Sequence, residues 1–176
     1  MNIRILSFFI ILAITIFAGG CTVLKSSSAE NDEDAVLAAR QLIVQNKAGC
    51  VIIKSGKIVH DGSGRGISPI LTIYRQHPEK MKNSIVVDKV IGKAAAMVAI
   101  CGGVSRVHAE LICDSAVDVL EKHNISVTYT LRVKNILNRR RNGLCPMEQV
   151  VLNIDDPQTA VAALEEAVRK MNAGSK

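Results

Sequence analysis

Between Ser84 and Val133 three short apolar runs alternate with two helical stretches, and this alternation constrains the fold more than any other feature of the chain. Ser84-Ile-Val-Val-Asp88 reads as a buried strand. An Ala-rich helix follows from near Gly92 to Cys101, where Gly102-Gly103 stops it. Val104 to Cys113 is the next strand, Ser115 to His123 a helix capped by Asp114, and Ile125 to Val133 a further strand. Strands joined through a helix lie parallel with right-handed crossovers, and a parallel sheet has to be covered on both faces. The expected architecture is a three-layer α/β/α domain.

The flanking segments extend that frame. Residues 33 to 46 have helical spacing, with Val36, Leu37, Leu42, Ile43 and Val44 available for one broad apolar face. Cys50-Val-Ile-Ile-Lys, a Ser55-Gly56 turn and Lys57-Ile-Val-His-Asp predict a β-hairpin, which makes the sheet mixed. A glycine-rich turn, Gly62 to Ser68, leads into a helix to about Gln76, with Ser68 as its N-cap and Pro69 as N1. Asp156-Pro157 opens a C-terminal helix running to about Asn172. No internal repeat is present.

The first 21 residues give an address. Met1 to Arg4 carry one positive charge, Ile5 to Phe17 are almost wholly apolar, and Ala18-Gly19-Gly20 place small residues before Cys21. The run is short for a membrane span and has the flanks of an export signal. Small residues before a cysteine resemble the bacterial lipobox, whose cysteine is lipidated and becomes the mature N-terminus; Ala18 stands where Leu is more usual. The expectation is a signal peptide over 1–20, lipidation of the palmitate kind at Cys21, a flexible tether over 21–32 and a domain over 33–172. The protein is then a membrane-anchored lipoprotein of the cell envelope, facing the periplasm or exterior. A plain signal peptide cut nearby, or an uncleaved anchor, stays open. The mature domain is long enough for one proper core.

The formal charge of +6 falls to about +5 once Arg4 leaves, a modest excess that weakly favours anionic lipid or anionic ligands. Nucleic acid is not an expected partner: five aromatics in the whole chain are too few to interleave with basic residues as stacking platforms. Cys50, Cys101 and Cys113 each sit in apolar runs, where buried free thiols act as small hydrophobes. An exported chain also permits disulfides, and with Cys145 there are three complete pairings. No Cys-x-x-Cys occurs, so a structural zinc site or a thioredoxin-type pair is unsupported.

The segment Asn138-Arg-Arg-Arg-Asn-Gly-Leu-Cys-Pro-Met-Glu148 is the foremost candidate site. Cys145 is predicted as N-cap, Pro146 as N1 and Glu148 as N3 of a short helix through Leu152. Proline suits N1, and a Glu at N3 can reach back to the cap residue's N–H. A thiol at a helix start feels the positive end of the dipole, which favours thiolate. Cys145 is therefore the candidate catalytic residue, with Asn138 and Glu148 beside it as candidate ligand contacts. No partner base is identifiable, and the competing reading is a buried cap pinned by Met147 and Val150. Arg139 to Arg141 read as a solvated loop, unless a lipid anchor brings them to an anionic membrane.

A second candidate lies upstream. Gly62-Ser-Gly-Arg-Gly-Ile-Ser68 combines backbone N–H groups, a guanidinium and a helix start, so Gly64, Arg65, Gly66 and Ser68 can form a phosphate or carboxylate cradle. The alternative is a glycine turn needed only for tight geometry. Asp88, Lys89 and Lys93 are expected to line the same cleft, because ligands in open α/β sheets gather beyond strand C-termini. Asp88 serves equally well as a helix cap. Gly92-Lys93 lacks the glycine spacing of a P-loop, so nucleotide hydrolysis is unsupported. His60, His77 and His123 are assigned no role.

Asp88-Lys-Val-Ile-Gly-Lys-Ala-Ala-Ala96, Ala116-Val-Asp-Val-Leu-Glu-Lys-His123 and Asn138 with Cys145-Pro-Met-Glu148, below the Gly-Arg-Gly turn, resemble the bacterial domain-of-unknown-function family 1893 over about residues 33 to 172. The resemblance implies a cytidine-deaminase-like fold and no established activity. The usual members lack an export signal, so the leader is a departure that counts against a cytosolic substrate. His108-Ala109-Glu110 spells the His-x-Glu of zinc deaminases, which pair it with Pro-Cys-x-x-Cys at a later helix start. Here both residues fall inside a strand, and the later phrase is Cys-Pro with a single thiol. The segments standing where ligand helices should begin hold no zinc-ligand set. No metal and no cofactor is expected.

Two functions remain in view. One is a non-catalytic, lipid-anchored binding or accessory module for an anionic small molecule or a protein. The other is a thiol-dependent enzyme or redox sensor centred on Cys145, which requires that Cys145 share a pocket with Arg65, Asp88 or Lys93.

Overall fold

In the computed structural model the described residues are 27–173. The leader, Cys21 and the first part of the predicted tether lie outside them. The chain runs α1 (Ser27–Val44), β1 (Cys50–Lys54), β2 (Lys57–Gly62), α2 (Ser68–Gln76), α3 (Pro78–Met81), β3 (Ile85–Ile91), α4 (Lys93–Cys101), β4 (Arg106–Cys113), α5 (Asp114–Lys122), β5 (Ser126–Val133), α6 (Pro146–Val151) and α7 (Pro157–Ala173). The five strands form one mixed sheet in the order β2-β1-β3-β4-β5. β1 pairs antiparallel with both β2 and β3, while β3, β4 and β5 are parallel, as the helix crossovers require.

Each face of the sheet buries its own cluster. Val36, Ala39 and Ile43 of α1 pack on Val51, Ile53, Ile85 and Val87. On the opposite face Ile52, Val86, Val107 and Ala109 lie beneath Ile70, Met97, Leu120 and Leu164 of α2, α4, α5 and α7. Alternation along β1 and β3 supplies both faces, so Cys50 to Ile53 and Ile85 to Val87 are apolar runs. The β1–β2 turn has Ser55 at φ 51° and Gly56 at φ 71°, the left-handed pair that a two-residue hairpin needs for its strands to twist correctly.

Several boundaries differ from the sequence expectation, each for a local reason. The first helix starts at Ser27, so residues 27–32 are helix and not tether; Asp32 accepts the Gly56 N–H at 2.6 Å, docking the first turns of α1 on the hairpin. α2 begins at Ser68 with Ile67 in the cap position and no side-chain cap bond, which moves Ser68 inside the helix and overturns its N-cap role. The short α3 was not expected; it buries Met81 completely against Gly102, where a Cβ would lie 2.6 Å from the Met81 methyl. β3 runs on to Ile91, which places Asp88 within a strand and not at a helix cap. Asp114 is the first residue of α5 and bonds Arg132 Nε at 2.6 Å, while Cys113 takes the cap position. Asp156 does cap α7, accepting the Thr159 N–H at 2.7 Å.

Candidate functional site

α1 runs antiparallel to β1 and, through Asn46 to Gly49, returns to the end of the sheet where β3 finishes. A cleft of about 1350 Å³ opens at that end. The glycine turn forms one wall and the loop from Ile136 to Asn142 another, with the start of α6 between them. Gly64 at φ 133° and Gly66 at φ 60° need the freedom of glycine, and between them Arg65 is carried to the rim. The opposite loop is a small hairpin: Leu137 bridges Leu144, and the Asn138 side chain donates to Asn142 Oδ1 at 2.8 Å while accepting the Asn142 N–H at 3.3 Å. This brings Arg139 and Arg140 to the cleft.

Of the residues singled out in the sequence, Cys145, Gly64, Arg65, Gly66, Ser68, Asp88, Lys89, Asn138 and Glu148 all line this space. Lys89 does so while its ammonium donates to Asn46 Oδ1 at 2.6 Å. Lys93 does not. Its side chain turns to the other side of α4, donating to the Leu152 carbonyl at 3.2 Å with Asp155 at 3.5 Å, so it supports the end of α6 and is withdrawn from the ligand set.

Glu148 has a different partner from the one its spacing suggested. The Cys145 N–H that it was to cap donates instead to the Ile136 carbonyl at 2.9 Å. The Glu148 carboxylate crosses to the start of α4, accepting Lys93 N–H at 2.9 Å and Ala94 N–H at 3.0 Å. Two otherwise unpaired amides and the positive end of a helix thus meet a buried negative charge. Gly92 precedes that helix because the carboxylate lies where a Cβ would be. Cys145 is the N-cap of α6 with Pro146 behind it, as expected, and its thiol makes no cap bond.

Asp88 stands on the cleft side of β3, only 6% exposed. One oxygen accepts the Val90 N–H at 3.0 Å. Cys50, directly opposite in β1, gives its thiol hydrogen to the same carboxylate. Burial raises the carboxyl to about 7 against this help, and burial with the neighbouring Asp88 charge pushes the Cys50 thiol well above its usual range. Lys47, Arg139 and Arg140 line the cleft without a motif to mark them, and Cys50 lies behind it as the partner of Asp88. The β1–β3 register that sets Cys50 against Asp88 has no local sequence signal.

The described cysteines are all free thiols. Cys50 and Cys113 are buried as expected, but Cys101 is only partly buried at the end of α4, and that burial raises its thiol to about 11. His108 and Glu110 share one strand face, opposite the cleft. Glu110 is held by Arg40 of α1 at 2.6 Å and by Thr130 at 2.8 Å, and His108 Nδ1 pairs with the Thr128 hydroxyl at 2.8 Å. The Arg40 bond holds the Glu110 carboxyl below its ordinary range, and burial lowers the His108 imidazole. A deaminase zinc does not fit these residues. The pair is turned to α1, and the start of α4 offers a carboxylate spent on two amides with one thiol, Cys113, 3.8 Å away. Among the described residues no three His, Cys, Asp or Glu side chains are grouped to hold a metal ion.

A five-stranded mixed sheet between helical layers, with its cleft beyond the end of β3, defines a three-layer α/β/α domain. The chain belongs to the domain-of-unknown-function family DUF1893, whose model matches residues 38–168. It is similar to the crystal structure of a DUF1893 family protein (TM1506) from Thermotoga maritima, with a TM-score of 0.69 and 21% identity over 77% of this chain and 90% of that one. It is more distantly similar to Acinetobacter baumannii RibD, form 2, at TM-score 0.45 and 16% identity, covering 56% of this chain and 36% of that one. A Thermotoga maritima diaminohydroxyphosphoribosylaminopyrimidine deaminase/5-amino-6-(5-phosphoribosylamino)uracil reductase matches at TM-score 0.44 and 15% identity, over 68% and 41% of the two chains. No curated protein matches the chain.

Proposed function

We propose that this chain is a lipid-anchored binding module of the cell envelope whose cleft takes an anionic small molecule and performs no chemistry on it. The convergence of cations carries this reading. Lys47, Arg65, Lys89, Arg139 and Arg140 reach one cleft from four separate segments, and of the two carboxyls lining it Glu148 is spent on α4. Cations gathered around a largely apolar cavity focus negative solutes by field as well as contact. An acidic segment of a protein partner presents the same chemistry, and nucleic acid does not suit a cleft with so few stacking aromatics.

Native mass spectrometry of the full chain is expected to show a co-purifying anion that Arg65→Ala loses. If the wild type carries none, and phosphate or dicarboxylates leave its Tm unchanged, the small-molecule reading fails. For the anchor, Cys21→Ser is expected to abolish labelling by an alkyne palmitate and to move the protein out of the membrane fraction. Among the described residues no helix is long and apolar enough to cross a membrane.

One observation favours a second reading. Cys145 does share the cleft with Arg65 and Asp88, the condition a thiol-dependent enzyme or redox sensor had to meet. Alkylation of Cys145 in the folded protein several times faster than a free thiol at neutral pH would support it; a rate no faster would remove it.

A further inference from the structure

The cleft is lined by five cations, by Glu148 and by Asp88. The Glu148 carboxylate is engaged by two backbone N–H groups at the start of α4, and the Cys145 thiol is the remaining ionisable side chain of the lining. Asp88 is the carboxyl of the lining that no helix start engages. It is nine-tenths buried in the cleft wall, with one oxygen on Val90 N–H and the Cys50 thiol opposite. An ionised Asp88 would place a negative charge against any anion that Lys47, Arg65, Lys89, Arg139 and Arg140 draw in. A protonated Asp88 removes that repulsion and offers an O–H donor to the same anion.

We propose that Asp88 is the specificity-setting residue of the cleft, and that an oxyanion ligand binds to the form in which Asp88 carries a proton, so that anion binding and proton uptake are one linked event. This rests on the anion-binding reading above and deepens it. Burial pushes the Asp88 carboxyl up to about 7, so the two forms interchange near neutral pH. Cys50, the titratable neighbour on β1, is held well above this range and stays a thiol. Linkage fixes the sign: an anion that binds the protonated form more tightly loses affinity as pH rises through 7.

Sulfate is a suitable probe, because its own charge is constant between about pH 5.5 and about pH 8. Titration calorimetry of the full chain is expected to show sulfate binding roughly tenfold weaker at the upper end of that window than at the lower. Asp88→Asn keeps a carbonyl for the Val90 N–H and is expected to bind with the same affinity throughout. Arg65→Ala should weaken binding at every pH and keep the slope. Near pH 7, wild-type binding measured in buffers of different ionisation enthalpy should take up about half a proton per sulfate; this readout needs no variant. A slope in Asp88→Asn equal to the wild type, or no proton uptake, overturns the proposal and leaves anion binding intact. No sulfate binding at any pH overturns the anion reading itself.

Discussion

Two backbone N–H groups at the start of α4 depend on one side chain. Glu148→Ala would leave both amides buried without a partner, at a cost of about 2–4 kcal/mol, read from the denaturant midpoint. Glu148→Gln retains one acceptor oxygen and is expected to recover part of that loss. Gly92→Ala forces a Cβ onto the carboxylate and should be at least as damaging. The double variant Gly92→Ala with Glu148→Ala is expected to cost less than the sum, since the first clash needs the second side chain. Asp88 acts in the opposite sense. Its carboxyl is raised to about 7, so folding is helped fully below the unfolded value near 4 and that help is lost as pH rises through 7. Asp88→Asn should therefore be more stable than wild type at pH 8, by on the order of 3 kcal/mol, and show no advantage at pH 4. Residue identity told little of this in advance. Spacing placed Glu148 at N3 of its own helix, correctly, but its partner lies 55 residues away in sequence. Asp88 read equally well as a cap, because nothing local shows that a strand runs on past it.

Elements were far more legible than contacts. Each strand and helix between Ser84 and Val133 was marked by its apolar period and by glycines or caps at its ends, and shifted by no more than a few residues. The hairpin was readable because Ser55-Gly56 separates two apolar runs by two residues, and the turn it makes needs both at positive φ. Gly56→Ala tests that reading. A Cβ there sits 2.6 Å from Asn31 Cβ at a φ of +71°, and the variant is expected to lose about 1–3 kcal/mol in chemical denaturation. α3 was illegible since four residues carry no period. The start of α1 was misread because a Ser- and Asp-rich stretch has the composition of a tether; Asp32 at the hairpin and the packing of Val36 and Ala39 below it hold the helix there.

At the scale of the whole molecule, the four described thiols share one face of the sheet and differ in access. Native alkylation is expected to reach Cys101 and Cys145 and to spare Cys50 and Cys113 until denaturant is added, as peptide mapping by mass would show. The placement of α1 gives the domain a polarity. α1 has 18 residues and so a length of about 27 Å; its first turns lie against the hairpin turn and its last residues lead to the cleft rim. Anything that grips the chain ahead of Ser27 grips it by the end away from the cleft. Under the lipid anchoring proposed above, the domain would be held by the end of α1 that lies at the hairpin turn, with the cleft and its Arg139 and Arg140 at the other end. A ligand would then enter on the side away from the attachment.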